Sequence, residues 1–201
     1  MIYDLSTEIF SDMEVYPGDP EVAIERTALI EDTGYNVTKL CLGTHTGTHV
    51  DVPLHYIKNG SGCSEISAEK CFGRAYVAKC RLLGGVVMLP ENIPDCEILL
   101  IYTGWDKLYG TKQYFENVPP LSGDFLEEAK KRRLKAIGVD MPSVDRDGLL
   151  HHSLLISDIL IYENLSGLQE LTGLCGTFYG FPLKISSGDA SPVRAIFRAN
   201  P

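Results

Sequence analysis

HTGTHVDVPLH, residues 45–55, is the stretch of this chain that says most about its fold and its chemistry. It contains Asp51 and three of the protein's five histidines, His45, His49 and His55. Neutral imidazole nitrogen and carboxylate oxygen are common ligands of Zn²⁺ and similar divalent ions, and a catalytic site typically takes about three of them from the protein. The alternative is a group of hydrogen-bonded structural histidines. The clustering and even spacing favour a metal site.

The same stretch predicts an extended chain that bends. β-Branched residues alternate through it, which favours a strand. A straight strand would separate His45 from His49 by roughly 13 Å, too far for both rings to bind one ion. Gly47 is therefore the expected position of a bend, because glycine tolerates positive φ. Pro53 is a second interruption that separates His55 from the others, so His55 is expected to do something other than bind the ion.

These residues resemble the HxGTHxDxPxH signature of the cyclase-like metal-dependent hydrolases, the family that contains bacterial kynurenine formamidases and isatin hydrolases. Further segments resemble motifs of that family and follow in its order along nearly the whole chain. They are Tyr16-Pro17-Gly18-Asp19, Ser143-Val144-Asp145, His151 with Leu154-Leu155, Glu163-Asn164-Leu165, and the tail Gly188-Asp189-Ala190-Ser191-Pro192-Val193-Arg194. An ordered set of motifs is more specific than any one of them, although it does not identify the substrate.

The resemblance implies a set of five metal ligands, which are His45, His49, Asp51, His151 and Glu163. In two-metal members of the family the aspartate bridges both ions, so one or two ions per chain are expected. Zn²⁺ is the first expectation for the ion and Mn²⁺ the second. His152 is the alternative to His151, because a shift of one residue would exchange them. The nearby acidic residues Asp140, Asp145 and Asp147 lack accompanying histidines and are interpreted as turn residues or as residues that orient ligands.

The resemblance also implies that His55 is the acid/base residue and that Tyr16 presents an aromatic ring to the substrate. A bound divalent ion lowers the pKa of water from about 15.7 towards about 7, and a histidine with a pKa near about 6.5 can move the proton to a departing nitrogen. The predicted activity is hydrolysis of a C–N bond in a small amide, formamide or cyclic amide. The alternatives are a lactone hydrolase or a dehydratase using the same site, or a metal-binding module without turnover.

Composition limits the other possibilities. The 201 residues carry a formal net charge of -9, which argues against a nucleic-acid partner. We expect one domain over residues 1–201, a small-molecule substrate, no membrane association and, from the resemblance, a homo-oligomer (dimer or tetramer). The amino terminus lacks the pattern of a secretory signal, and the six cysteines form no C-x-x-C pair, so we expect reduced, buried thiols in a cytoplasmic protein.

Hydrophobic patterns predict an α/β or α+β domain with a mixed β-sheet. The family's swivelling β/β/α fold is compatible with this expectation. The clearest helix covers residues 122–134, with Ser122 as its cap and its charges matching the helix dipole. The predicted strands cover residues 74–83, 97–103, 135–139, 159–162, 177–185 and 193–198.

Overall fold

The computed structural model describes residues 1–200. The α-helices are α1 (Ile30–Thr33), α2 (Asp124–Arg132) and α3 (Leu149–Ile156). The strands are β1 (Ile2–Asp4), β2 (Ala23–Ala28), β3 (Val37–Cys41), β4 (His49–Asp51), β5 (Phe72–Lys79), β6 (Arg81–Leu83), β7 (Val86–Met88), β8 (Ile98–Tyr102), β9 (Ala136–Val139), β10 (Leu160–Glu163), β11 (Cys175–Tyr179), β12 (Ala190–Pro192) and β13 (Ile196–Ala199). Short 3₁₀ helices include Pro53–His55, directly after β4.

A nine-stranded mixed sheet organises the chain, in the order β1-β13-β11-β5-β8-β9-β10-β4-β12. The four strands β5, β8, β9 and β10 are parallel neighbours, and the strands on either side of them pair antiparallel. The strands β2 and β3, and likewise β6 and β7, form separate two-stranded hairpins. The α+β class and the mixed sheet predicted from the sequence are confirmed.

The central strands are buried on both faces, which explains their continuous apolar runs. Along β8, Ile98 and Leu100 face one hydrophobic cluster and Leu99 and Ile101 face the other, as the twofold alternation of a strand requires. Helices α2 and α3 lie against the second cluster, to which α2 contributes Phe125. The sheet is therefore a rigid platform, and β4 and β10 lie side by side within it.

Several predicted boundaries need correction. The strand predicted over residues 74–83 is two strands in different sheets, because the chain leaves the large sheet after Lys79. The strand predicted over residues 177–185 ends at Tyr179. Ser122 does not cap α2 through its side chain; Gly123 occupies the cap position, and the Ser122 carbonyl accepts a hydrogen bond from the Phe125 amide. The sequence pattern did not predict helix α3, whose cap position is Gly148 and whose first amides, of Leu149 and Leu150, donate to the side chains of Asp147 and Asp145.

All six cysteines carry free thiols; Cys41 and Cys175 are exposed, and the other four are buried as expected. Within residues 1–200, no helix combines the length and the apolar character needed to cross a bilayer.

Candidate metal centre

Two neighbouring strands bring three ligand-type side chains together. His49 and Asp51 are two residues apart on β4 and therefore point to the same face. In the antiparallel register of β4 and β10, Glu163 lies directly opposite His49. The His49 Nε2 atom is 3.4 Å from Asp51 Oδ1 and 3.5 Å from Glu163 Oε2. All three side chains are buried, so their polar atoms face one another and not bulk water.

His45 joins this group through the predicted bend. Gly47 has φ of +63°, and the turn it allows replaces the straight strand that would have separated the two rings. His45 Nδ1 is 3.0 Å from Asp51 Oδ1, and the rings of His45 and His49 are 5.0 Å apart between centroids. The prediction of a bend at Gly47 is confirmed.

Helix α3 supplies the fifth side chain. His151 is buried, with Nε2 lying 3.1 Å from Glu163 Oε1 and 3.7 Å from Asp51 Oδ2. The next residue, His152, is exposed. Of the two alternatives left open by the sequence, the fold brings His151 into the cluster and leaves His152 outside it.

Asp145 fixes the orientation of His151. One of its carboxylate oxygens lies 2.7 Å from His151 Nδ1, and the carboxylate also accepts hydrogen bonds from the backbone amides of Gly148 and Leu150 at the start of α3. An imidazole whose Nδ1–H is donated to a carboxylate presents its Nε2 lone pair on the other side of the ring. The interpretation of Asp145 as a residue that orients a ligand agrees with this geometry. Asp140 has a different role: its carboxylate accepts hydrogen bonds from the backbone amides of Thr103 and Gly104, which follow β8.

The hydrogen-bonding state of the cluster fits a bound cation. His49 donates Nδ1–H to the Gly47 carbonyl at 2.9 Å, so Nε2 is the nitrogen that faces the cluster and would bind an ion after losing its proton. His49 Nε2 and both oxygens of Asp51 are buried and have no aligned hydrogen-bond partner among the described residues. Buried polar atoms left without partners are costly, by about 1–3 kcal/mol each, and a divalent ion would satisfy all three. Among residues 1–200, two groups of side chains bring their ligand atoms close enough for one ion: His49, Asp51 and Glu163, and His45, Asp51 and His55.

The electrostatics of the cluster lead to the same conclusion. Burial lowers the pKa of His49, but the Asp51 and Glu163 carboxylates outweigh burial and raise it to about 10. Burial likewise lowers the pKa of His151, and Asp145 and Glu163 raise it to about 10. Burial would raise the pKa of Asp51, yet His45 and His49 hold it well below its usual value. Without an ion the carboxylates retain protons on the imidazoles, and a divalent cation would replace those protons.

His55 lies closer to the other histidines than its separation by Pro53 suggested. It ends the 3₁₀ helix Pro53–His55, and its ring centroid is 4.2 Å from that of His45. Burial lowers the pKa of His55, with further lowering by His45 and His151 that Asp51 partly opposes. A neutral imidazole at this position has the protonation state that a proton acceptor needs at pH 7.

The cluster forms part of the wall of a cavity of about 370 Å³, a volume suited to a small molecule. Tyr16 lines the cavity and meets Phe115 edge to face, with ring centroids 6.0 Å apart. Tyr56 also lines it and stacks on His151, with centroids 5.0 Å apart and planes 19° apart. The cavity thus combines polar groups at the cluster with aromatic walls.

Sequence reasoning gave no role to two residues beside the cluster. Tyr56 has no motif of its own, although it directly follows His55. Asp189 lies 3.1 Å from His45 Nε2 and 3.5 Å from His55 Nδ1. The sequence signal for Asp189 is its place in the tail motif, Gly188 to Arg194, to which the sequence reasoning assigned no function.

The fold and the site together define an α+β protein with a buried imidazole and carboxylate centre at a small-molecule cavity.

Comparison with known proteins identifies the family. Residues 3–146 match the model of the Cyclase family, described as "Putative cyclase". The chain is 36% identical over 184 residues to an uncharacterised protein of Methanocaldococcus jannaschii, covering 90% of this chain and 91% of that protein. It is 31% identical over 210 residues to a kynurenine formamidase of Bacillus cereus, covering 97% of this chain and 96% of the relative. The chain belongs to the Cyclase family, as its motifs predicted.

The fold is shared with solved structures. A crystal structure of an isatin hydrolase bound to the product analogue thioisatinate superposes with a TM-score of 0.85 at 20% sequence identity, covering 100% of this chain and 92% of that one. This similarity confirms the fold expected from the family. The kynurenine formamidase relatives support the prediction that the protein is a hydrolase.

Proposed function

We propose that this protein is a metal-dependent hydrolase that cleaves the C–N bond of a small amide, with an aryl formamide or a cyclic amide as the substrate class. The observation that carries the proposal is the set of unpartnered, buried atoms at the cavity, His49 Nε2 and both Asp51 oxygens. The relatives named kynurenine formamidase, which match nearly the full length of the chain, support amide hydrolysis. The aromatic walls of the cavity, Tyr16 and Phe115, suit a substrate with an aryl group.

Each ligand-type residue has an assigned place in the proposal. His45, His49 and Asp51 would hold one ion, and Asp51, His151 and Glu163 would hold a second. Zn²⁺ is the first choice for imidazole and carboxylate ligands of this kind and Mn²⁺ the second. When bound, such an ion supplies a Lewis acid that acidifies water and polarises the carbonyl group of an amide.

The remaining chemistry belongs to the side chains. Hydrolysis adds the oxygen of water to the carbonyl carbon, breaks the C–N bond and delivers a proton to the departing nitrogen. His55 borders the cavity and is neutral because burial lowers its pKa. It can therefore take the proton from water and return it to nitrogen, which typically contributes about 10²–10⁴-fold to the rate. Tyr16 would hold the aryl group of the substrate against the cavity wall.

The same proposal covers the oligomeric state, the location and the partners of the protein. We expect a homo-oligomer, either a dimer or a tetramer, and a cytoplasmic location. The six free thiols support a reducing compartment. We expect no nucleic-acid or membrane partner, in keeping with the net charge of -9.

Elemental analysis with a substrate screen tests the proposal. Protein purified after supplementation with Zn²⁺ or Mn²⁺ should hold one or two ions per chain, and the metal-loaded protein should hydrolyse at least one of a panel of N-formyl aromatic amines, isatin-like lactams and simple lactones. Less than about a tenth of an ion per chain with either metal would contradict the metal centre, since deprotonated sites of this kind bind tightly near pH 7. If the protein hydrolysed only the lactones, the bond that it cleaves would be an ester and not an amide.

A further inference from the structure

The tail motif, Gly188 to Arg194, has no part in the proposed chemistry, yet the fold holds it against the metal centre. Strand β12 pairs antiparallel with β4, and Ala190 lies opposite Asp51. The Asp189 carbonyl accepts a hydrogen bond from the Val52 amide at 3.2 Å. These backbone contacts fix the position of the Asp189 side chain relative to the strand that carries His49 and Asp51.

The Asp189 carboxylate divides its two oxygens between two partners. Oδ1 accepts a hydrogen bond from the Thr44 hydroxyl at 2.9 Å, and Oδ2 lies 3.1 Å from His45 Nε2. His55 Nδ1 is further from the same oxygen, at 3.5 Å. Thr44 directly precedes His45, so the contact with its hydroxyl holds the carboxylate beside the His45 ring even though the Asp189 side chain is 42% exposed.

The two nitrogens of His45 face opposite partners. Nε2 faces Asp189, whereas Nδ1 faces Asp51 Oδ1 at 3.0 Å. If Nε2–H is donated to Asp189, the neutral ring carries its lone pair on Nδ1, which points into the cluster. Metal-binding histidines usually donate their other ring N–H to a carboxylate, carbonyl or water, which fixes the tautomer and raises the basicity of the ligand.

We propose that Asp189 is a positioning residue for the metal centre, holding His45 in the tautomer and orientation that present Nδ1 beside Asp51. The inference rests on the proposed function, because it assumes that His45 binds the ion. It assigns a role to the tail motif, because the Asp189 carboxylate contacts the ring nitrogen of His45 that faces away from the cluster. Asp145 makes the corresponding contact with Nδ1 of His151.

Zn²⁺ affinity tests this role without a substrate. We would titrate the metal-free protein with Zn²⁺ against a chromophoric chelator for the unmodified chain and for Asp189→Asn and Asp189→Leu. Leucine removes the hydrogen-bond acceptor, so its Zn²⁺ affinity should fall by about 10–100-fold, the usual effect of losing such a partner. Asparagine keeps an acceptor oxygen at the same place and should restore much of the affinity. The visible spectrum of the Co²⁺-loaded protein should change in the leucine variant and stay close to the original in the asparagine variant.

Asp19→Asn is the matched control. Asp19 lines the same cavity, and none of the hydrogen bonds or ion pairs among residues 1–200 joins its side chain to a histidine. The substitution removes one negative charge from the cavity, so its Zn²⁺ affinity reports the loss of charge alone. A decrease as large as that of Asp189→Leu would assign the effect to the net charge of the cavity and overturn the positioning role.

The remaining outcomes separate this inference from the proposed function. If the unmodified chain binds Zn²⁺ and both Asp189 variants bind it equally well, Asp189 is a structural residue, and a lower thermal midpoint of the metal-free variants would show it. If the unmodified chain binds no Zn²⁺, Mn²⁺ or Co²⁺, the proposed function itself fails. If Asp189→Leu does not fold, as judged by circular dichroism, Asp189→Ala takes its place, because alanine also removes the acceptor. A Zn²⁺ affinity about 10–100-fold below that of Asp19→Asn then supports the positioning role, and an affinity equal to that of Asp19→Asn overturns it.

Discussion

Glu163 lies opposite His49 across strands β4 and β10, and its two carboxylate oxygens reach two different histidines, with Oε2 3.5 Å from His49 Nε2 and Oε1 3.1 Å from His151 Nε2. Glu163 therefore links the part of the cluster that comes from β4 to the part that comes from α3. Its charge also helps to raise the pKa of both histidines.

Replacing Glu163 should weaken metal binding without disturbing the fold. Glu163→Gln keeps the size of the side chain but removes the charge that attracts the ion, so we expect Zn²⁺ affinity to fall by at least about tenfold or the ion content to fall from two to one. Chelator competition and elemental analysis measure this. Glu170→Gln is the control, because Glu170 is exposed. An unchanged affinity and ion content in Glu163→Gln would remove Glu163 from the ligand set.

Replacing His55 should separate proton transfer from metal binding. His55→Ala should keep its fold and its ion while kcat on the substrate found in the screen falls by about 10²–10⁴-fold. His49→Ala should lose the ion and the activity together. His152→Ala, an exposed histidine on α3, is the control for loss of an imidazole. Loss of the ion from His55→Ala would instead make His55 a ligand, in the group that it forms with His45 and Asp51.

The aromatic ring of Tyr16 should contribute more to substrate binding than its hydroxyl group. Tyr16→Phe keeps the edge-to-face contact with Phe115, whereas Tyr16→Ala removes the ring from the cavity. An aromatic contact is worth about 0.5–1.5 kcal/mol, so KM for an aryl formamide should rise by about 2- to 10-fold in the alanine variant and change little in the phenylalanine variant. Tyr35→Ala, at an exposed tyrosine outside the cavity lining, is the control. Equal KM values for Tyr16→Ala and the unmodified chain would exclude Tyr16 from substrate binding.

Metal binding should release protons. In the metal-free protein the pKa values of His49 and His151 are raised to about 10, so both rings are protonated at pH 7. Zn²⁺ binds neutral imidazole, so its binding must displace these protons, and Zn²⁺ affinity should rise with pH. Calorimetric titration in buffers of different ionisation enthalpy measures the number released. If Zn²⁺ bound at pH 7 without releasing protons, the prediction would be wrong. Either the two histidines are not protonated in the metal-free protein or they do not bind the ion.

The same pKa values determine how the stability of the metal-free fold varies with pH. The pKa of His49 is higher in the folded chain than the ordinary histidine value of 6.5, so its protonation stabilises the fold fully below about pH 6.5. That contribution is lost as pH rises through about 10. The thermal midpoint of the metal-free protein should therefore fall between pH 7 and pH 10 by more than that of His49→Gln, which lacks the group. Parallel curves for the two proteins would contradict the raised pKa.

Thiol reactivity should divide the cysteines into two classes. Burial raises the pKa of Cys63 to about 11, of Cys80 to about 12 and of Cys96 to about 11, which leaves these thiols neutral and shielded. Cys41 and Cys175 are exposed and should react within minutes with an aromatic disulfide reagent in the native protein. The remaining thiols should react on the slower time scale of unfolding. Rapid reaction of more than two thiols per folded chain would contradict this division.

Local sequence predicted the parts of the site that lie close together along the chain. His45, His49 and Asp51 fall within seven residues, and the glycine between the two histidines indicated the bend that joins them. The buried strands β8 and β9 were predicted because each is a continuous apolar run, which does not depend on the partner strands.

Tertiary structure decided the rest. Whether His151 or His152 faces the cluster depends on how α3 is rotated against the sheet, and that rotation is set by Asp145 at its start and by Leu154 and Leu155 in the core. The pairing of Glu163 with His49 depends on the register of β4 and β10, which lie more than a hundred residues apart in the chain. Asp189 reaches His45 through the pairing of β12 with β4.

The sequence by itself therefore determined the chemical nature of the centre, because imidazole and carboxylate groups are properties of single residues and their spacing is local. The distant members His151 and Glu163 were predicted only through the family resemblance. Local sequence does not determine them, because strand register and helix rotation are set by packing and hydrogen bonds between segments far apart in the chain.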